Sequence, residues 1–347
     1  MIMQEFSARE SICQLSAPLT IGPVTMPNRV FLAPLSGVTD RPFRDIASSF
    51  GAGLVVSEMI AGDHLALGRA EASLKAERTR KGHHVIQLAG REAHWMSEGA
   101  RVAADAGADM IDINMGCPAK KVTTGYSGSA LMRDLDHALR LIEATVSATS
   151  VPVTLKMRLG WDHKTINAPE LAQRAEAAGV RMITVHGRTR CQFYKGVADW
   201  KPIRAVKESV SVPVIANGDF VTLDQLDPML ALSGADGIMI GRGTYGRPWF
   251  PGHVASFAKT GRLPEPPSGP ALGALVIEHY EQILEHYGPE LGVRNARKHL
   301  AWYMDRSPSD FVGDDGLRQR ILTEANPRIV TDLLQSRFGN LDLRRVA

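Results

Sequence analysis

A chain of 347 residues that is 44% hydrophobic and 22% charged excludes wholesale disorder, and no apolar run approaches the roughly 20 residues that cross a bilayer. Its three cysteines, Cys13, Cys117 and Cys191, lie far apart with no C-x-x-C pair; this excludes a disulfide framework, argues against a metal cage and fits a reducing cytoplasm. The formal charge of +3 permits a polyanion-binding patch without demanding one.

The first sixteen residues carry Glu5, Arg9, Glu10 and Gln14 where an export leader needs an unbroken apolar stretch, so the reading is against export. Eight short apolar or β-branched runs then read as buried parallel strands: residues 30–35, 53–57, 85–89, 110–114, 153–157, 182–185, 214–216 and 237–240. Amphipathic stretches at 93–106, 134–148, 169–178 and 223–232 read as helices between them, several closed by a glycine just before the next strand. Strands alternating with helices eight times predict an α/β fold, a (β/α)8 TIM barrel rather than an open sheet.

Beyond Trp249 the texture changes. Gly261-Arg-Leu-Pro-Glu-Pro-Pro-Ser-Gly-Pro270 suits neither helix nor strand, and stretches at 272–287, 293–305, 315–322 and 327–338 read as helices with no strand among them. The predicted organisation is a barrel over 1–257, a Pro/Gly linker over 258–270 and a small all-helical domain over 271–347.

In such a barrel the reacting groups sit at the C-terminal ends of strands and in the loops just after them. Those positions hold Ala33-Pro-Leu-Ser-Gly37, Gln87, Asn114-Met-Gly-Cys-Pro118, Lys156 and Arg158, His186-Gly-Arg-Thr-Arg190, Asn217-Gly-Asp219 and Gly241-Arg-Gly243. Lys156 is the sharpest case, a charge inside an apolar strand. A lone lysine there packs its stem and sends its head to water, but so many polar groups converging on one end point to an occupied mouth. The glycine-bearing turns after the seventh and eighth strands, with Arg242, read as a phosphate site. Gly241-Arg-Gly-Thr-Tyr-Gly246 also spells G-x-G-x-x-G, but it ends a strand and runs into Arg247-Pro-Trp249 instead of opening a βαβ unit, so a dinucleotide fingerprint is rejected.

Cys117, between Gly116 and Pro118 and followed by Lys120 and Lys121, reads either as a small buried filler or as a reactive thiol able to protonate a carbanion-like centre. Basic and aromatic residues interleave on this face (Arg158, Trp161, Arg190, Phe193, Tyr194) and again in the tail (Arg294, Arg297, Lys298, His299, Trp302, Tyr303). Either group alone reads as a solvated surface; two of them on two domains point to an extended polyanion such as RNA.

Asn114-Met-Gly-Cys-Pro118, together with Pro34-Leu-Ser-Gly-Val-Thr-Asp-Arg-Pro-Phe43, Ser57-Glu-Met59, His186-Gly-Arg-Thr-Arg190, Asn217-Gly-Asp219, Gly241-Arg242 and Ala296-Arg-Lys-His299, makes the chain similar to the tRNA-dihydrouridine synthases, nearest their bacterial B-type subgroup, over almost its full length. The resemblance implies an FMN-bound barrel, a helical domain that helps hold tRNA, and NADPH-driven reduction of the 5,6-double bond of D-loop uridines. It implies Cys117 as the proton donor, since reduction at C6 leaves charge at C5 that a thiol on the opposite face can protonate. It places Pro34, Leu35, Ser36, Gln87, Lys156, His186, Asn217, Gly218, Asp219, Gly241 and Arg242 at the flavin, Lys156 compensating the anionic edge of the reduced ring. Asn114 and Arg188 resemble positions near the substrate base, and Lys120, Arg294, Arg297 and Lys298 are assigned to tRNA. No metal or membrane is implied, and a monomer is expected. Leu35 and Ser36 depart from the family's usual Pro-Met-Ala-Gly, a change that backbone contacts tolerate. Two other readings are an FMN barrel acting on a free pyrimidine, as in dihydroorotate-type dehydrogenases, which leaves the basic tail idle, and a flavin-containing RNA-binding protein without catalysis.

Overall fold

The computed structural model describes residues 11–306 and 315–339. The first ten residues of the N-terminal extension, and residues 307–314 and 340–347 of the expected helical domain, lie outside the described residues. All eight expected strands form: β3 (Val30–Leu32), β4 (Leu54–Ala61), β5 (Val85–Ala89), β6 (Met110–Met115), β7 (Val153–Arg158), β8 (Ile183–His186), β9 (Val214–Asn217) and β10 (Gly237–Ile240). They pair in parallel in chain order, and β10 closes the ring against β3. Buried on both faces, the strands read as near-continuous apolar runs; Val85–Ala89 and Met110–Met115 are buried throughout. The chain is a TIM barrel, and the Gly241–Gly246 run ends its last strand.

The sequence reading did not foresee an antiparallel hairpin before the barrel, β1 (Leu19–Ile21) and β2 (Val24–Met26), turning at Gly22. Leu19, Ile21, Val24 and Met26 share one apolar cluster with Leu54, Val85 and Met110, the first residues of β4, β5 and β6. The hairpin therefore seals the N-terminal end of the barrel, and the chemistry is left to the other end.

The expected helices form as Ala93–Asp105, Leu135–Ser147 and Ala168–Ala177. Asp134 caps the second, its side chain accepting from His137 N–H at 2.9 Å. The stretch expected at 223–232 splits into a 3-10 turn, Leu223–Gln225, and an α-helix, Leu226–Ser233. The reason is Pro228, which lacks an N–H and fits only a first helical turn.

The described residues divide into two compact units, 11–243 with 251–263, and 244–250 with 264–306 and 315–339. The second contains the helices Gly269–Tyr287, Pro289–Arg306, Asp315–Thr323 and Pro327–Gly339. The helix Phe250–Thr260 runs past the expected linker start, and Gly269–Tyr287 begins inside it, because a proline at 270 is compatible with a first turn. Thr244–Phe250, read from sequence as barrel, packs within the helical unit: the Tyr245 and Trp302 rings stack with centroids 4.0 Å apart. Gly246, at φ 68°, lies against the Trp302 carbonyl with no room for a Cβ. No described helix is long and apolar enough to cross a membrane.

Candidate active site at the barrel mouth

Side chains two apart along a strand share a face. In β6 and β7 the alternate residues Asp112, Asn114, Thr154, Lys156 and Arg158 are polar among apolar neighbours. Register places Gln87 beside Asp112, Asp112 beside Thr154, and Asn114 beside Lys156. Further round, Arg158 neighbours His186 and His186 neighbours Asn217. One polar layer thus lines the barrel toward the C-terminal ends of the strands, opposite the hairpin.

Cys117 follows β6 at that end and is half-exposed, so the sulfur lies on the face where barrel chemistry occurs. Its loop is held on three sides. Asn114 Oδ1 accepts from the N–H groups of Gly116 and Cys117 at 3.1 and 2.9 Å. The Cys117 carbonyl accepts from Ser129 N–H and Oγ–H at 3.1 and 2.8 Å. Arg158 donates from Nε to the Gly116 carbonyl at 2.8 Å and from Nη1 to those of Thr189 and Phe193 at 2.8 and 2.9 Å, tying the loops after β6 and β8 together. Burial pulls the Arg158 guanidinium down to about 10, which leaves it charged at neutral pH. A Cβ on Gly128 would stand 2.9 Å from the Cys117 carbonyl oxygen, so the return of the chain over this loop needs glycine.

Lys156 donates to Asn217 Oδ1 at 3.1 Å, and Asn217 Nδ2 donates to the Met239 carbonyl at 2.7 Å. Burial pushes the Lys156 ammonium down to about 8; Asp112 opposes that fall and Arg158 adds to it. Burial first, then the charges of Arg158, Lys156, Arg188 and Arg242, holds the His186 imidazole well below its ordinary range. The ring is therefore neutral, and its Nδ1 is buried with no hydrogen-bond partner among the described residues.

Just past β9, Asp219 sits in the left-handed region at φ 50°. Its carboxylate accepts from both Arg188 Nη atoms, from Arg242 Nη2 at 2.8 Å and from Ala198 N–H at 2.9 Å. Burial alone would raise this carboxyl, but the Arg188 and Ala198 hydrogen bonds and the two guanidinium charges outweigh it and hold it below the usual carboxylate range. Arg188, expected near a substrate base, is 1% exposed. It donates also to the Lys195 and Gly196 carbonyls, so its donors are spent on the loop rather than turned toward the mouth. Arg242 and Gly241 stay at the rim, with nothing nearer than 3.7 Å to a Cβ placed on Gly241.

Of the other expected positions, Pro34 and Leu35 are half-buried and Ser36 exposed just after β3, Gln87 is buried in mid-β5, and Gly218 directly follows β9. Lys120 is exposed on the short helix Lys120–Thr123. Guanidiniums and rings interleave along the rim: Arg190 lies over Trp161 and Phe193 at 4.6 and 4.4 Å, and Arg158 and Arg242 over Tyr194 at 5.6 and 5.3 Å. In the helical unit Arg294 is exposed and Lys298 half-buried, while Arg297 donates to the Thr323 carbonyl at 3.0 Å. Sequence reasoning missed Asp112 and Thr154, whose only signal is the period-two placement of polar residues in buried strands. No group of three or more potential metal ligands converges among the described residues.

The dihydrouridine synthase family model matches residues 31–328. The chain is 54% identical over 322 residues to a probable tRNA-dihydrouridine synthase of Rhizobium leguminosarum bv. phaseoli, covering 92% of this chain and 99% of that protein. It is 44% identical over 296 residues to tRNA-dihydrouridine synthase B of Xanthomonas campestris pv. campestris, covering 84% and 89%. Among solved structures, histamine dehydrogenase from Rhizobium sp. 4-9 superposes with a TM-score of 0.57 at 14% identity, over 95% of this chain and 65% of that one. TcOYE in complex with pHBA gives 0.55 at 14%, over 73% and 94%; both show a shared fold. By the extent of the family match and the identity to these relatives, the chain belongs to the dihydrouridine synthase family.

Proposed function

We propose that this protein is a flavin-dependent tRNA-dihydrouridine synthase that uses FMN and NADPH to reduce D-loop uridines. The observation that carries the reading is the half-exposed Cys117 on a braced loop beside the polar layer that contains Lys156. Residues at the mouth fit FMN. His186 Nδ1 is buried with no hydrogen-bond partner among the described residues, the Lys156 charge acts on that ring, and nothing comes nearer than 3.7 Å to a Cβ placed on Gly241, next to Arg242. Lys156, His186 and Gln87 would hold the ring, and Asn217, Gly218, Asp219, Gly241 and Arg242 the phosphate end, with Pro34, Leu35 and Ser36 alongside. When bound, the flavin supplies the two electrons, drawn from NADPH, that saturate the C5–C6 bond.

The chain's own residues supply the rest. Cys117 gives the proton that C5 requires, and Asn114, Ser129 and Arg158 fix where its thiol stands. Lys156 balances negative charge at the mouth. The base must leave its stack to enter, and the arginine-rich rim with Lys120 draws in the phosphates of a single-stranded loop. Arg294, with Lys298, extends the tRNA contact to the helical unit, and Arg297, expected among them, holds the end of the helix Asp315–Thr323 beside them.

Replacing Cys117 by Ala tests the assignment. Flavin reduction by NADPH is expected to proceed at close to the wild-type rate, while dihydrouridine formation on undermodified tRNA falls by at least about 100-fold, the low end of what a positioned proton donor contributes. Product formation at the wild-type rate overturns the proton-donor role, and turnover with free uracil in place of tRNA overturns the substrate.

A further inference from the structure

Beneath the Cys117 loop, the buried carboxylate of Asp112 accepts from Thr154 Oγ1–H and from Gln87 Nε2–H, both at 2.6 Å. Gln87 Oε1 in turn accepts from Asn114 Nδ2–H at 2.7 Å, and Asn114 Oδ1 accepts from the N–H groups of Gly116 and Cys117. The chain has a direction. Burial raises the Asp112 carboxyl, while the Gln87 and Thr154 hydrogen bonds and the Lys156 charge favour its ionised form. Backbone N–H groups only donate and that ionised form only accepts, so the two ends demand the same orientation of both carboxamides. The three side chains of the relay are buried: Gln87 is 0%, Asp112 4% and Asn114 8% exposed. A reversed amide would leave donor facing donor at a buried position.

We propose that Asp112 is a positioning residue, which sets the polarity of the Gln87–Asn114 relay and through it the placement of the Cys117 thiol. The inference rests on the proposed synthase reading and deepens it. Asp112 reaches neither the thiol nor the mouth; it acts through two amides. Thr154, its neighbour in register on β7, occupies the second carboxylate oxygen and stops the carboxyl from turning. Asp112 also lies close enough to Lys156 to support its charge, so the same carboxylate serves both walls of the layer. An asparagine at 112 keeps the shape but presents donor and acceptor alike, and the relay then loses its enforced direction.

The test uses the flavin-loaded full chain with Asp112→Asn, and with Thr154→Val as a milder variant that keeps the carboxylate. Two readouts are taken: the rate at which undermodified tRNA reoxidises the reduced enzyme, and the rate of iodoacetamide alkylation at Cys117, resolved by peptide mass spectrometry with exposed Cys191 as internal reference. For D112N the tRNA step is expected to slow about tenfold or more, part of the roughly 10²–10⁴ that a positioned proton donor provides. Alkylation at Cys117 changes relative to Cys191, and T154V moves both readouts the same way by less. If D112N does not fold, T154V alone decides. Unchanged Cys117 alkylation together with a wild-type tRNA step, in the variant that folds, overturns the positioning role while leaving the synthase reading intact. Absence of dihydrouridine formation by the wild-type enzyme overturns that reading itself, and the relay with it.

Discussion

Lys156 and Arg188 are both charged side chains near the C-terminal ends of the strands, but they serve different ends. The Lys156 ammonium, lowered to about 8 by burial, is charged below that pH and neutral above it. An anionic ligand binds the charged form more tightly. FMN affinity is therefore expected to be high near pH 7 and to fall as pH rises through about 8, approaching tenfold per unit beyond it. K156M is expected to bind more weakly at pH 7 and to show no such fall. Fluorescence titration between pH 7 and 9 measures both, and a retained slope in K156M removes Lys156 from the site. Arg188 is instead a fastener. Its guanidinium spans Asp219 and two carbonyls from a buried position, so R188A leaves Asp219 to Arg242 and the Ala198 N–H alone and strips the Lys195 and Gly196 carbonyls of their side-chain donor. The expected loss is about 1–3 kcal/mol of stability, read as a fall in the melting temperature of the barrel. R188K does not restore it, because a single ammonium cannot reproduce the planar fork.

At the scale of elements, burial explains what could be read from the sequence. The eight barrel strands were legible because parallel strands covered on both faces are unbroken apolar runs. The residues following them were legible because a barrel gathers its chemistry there. The hairpin was not, since Leu19–Ile21 and Val24–Met26 are three residues each and resemble any short apolar segment until Val85 and Met110 are seen beneath them. Asp112 was hidden for a related reason: a polar residue in mid-strand gains meaning only when register sets it beside Gln87 and Thr154. The fastening of Arg188 to Asp219 and the loop carbonyls was not legible, because a sequence motif carries residue type and not direction. The hairpin yields its own expectation. Ile21→Ala removes a side chain that is 2% exposed and is expected to cost about 2–5 kcal/mol. FMN affinity below the lowered melting temperature stays unchanged, because the sealed end lies opposite the mouth. A loss of affinity in the folded variant would contradict this separation of plug from site.

At the scale of the whole molecule, affinity for tRNA is expected to be a sum of many phosphate contacts, while chemistry depends on one thiol. The tail arginines divide along the same line. Arg297 donates to the Thr323 and Glu324 carbonyls, satisfying groups at the end of the helix Asp315–Thr323 that have no partner within that helix, so its removal acts chiefly on the stability of the helical unit. Arg294 is exposed on the helix Pro289–Arg306 and free of that duty. R294A is expected to leave the melting profile and NADPH-driven flavin reduction unchanged, to raise KM for tRNA with kcat little altered, and to lower the slope of log K against log salt by about one, the signature of a single lost phosphate contact. Filter binding from low to physiological salt measures that slope. A variant with wild-type affinity and slope would take Arg294 off the RNA path and confine recognition to the barrel rim, where Lys120 and the arginine–aromatic rows would have to carry it alone.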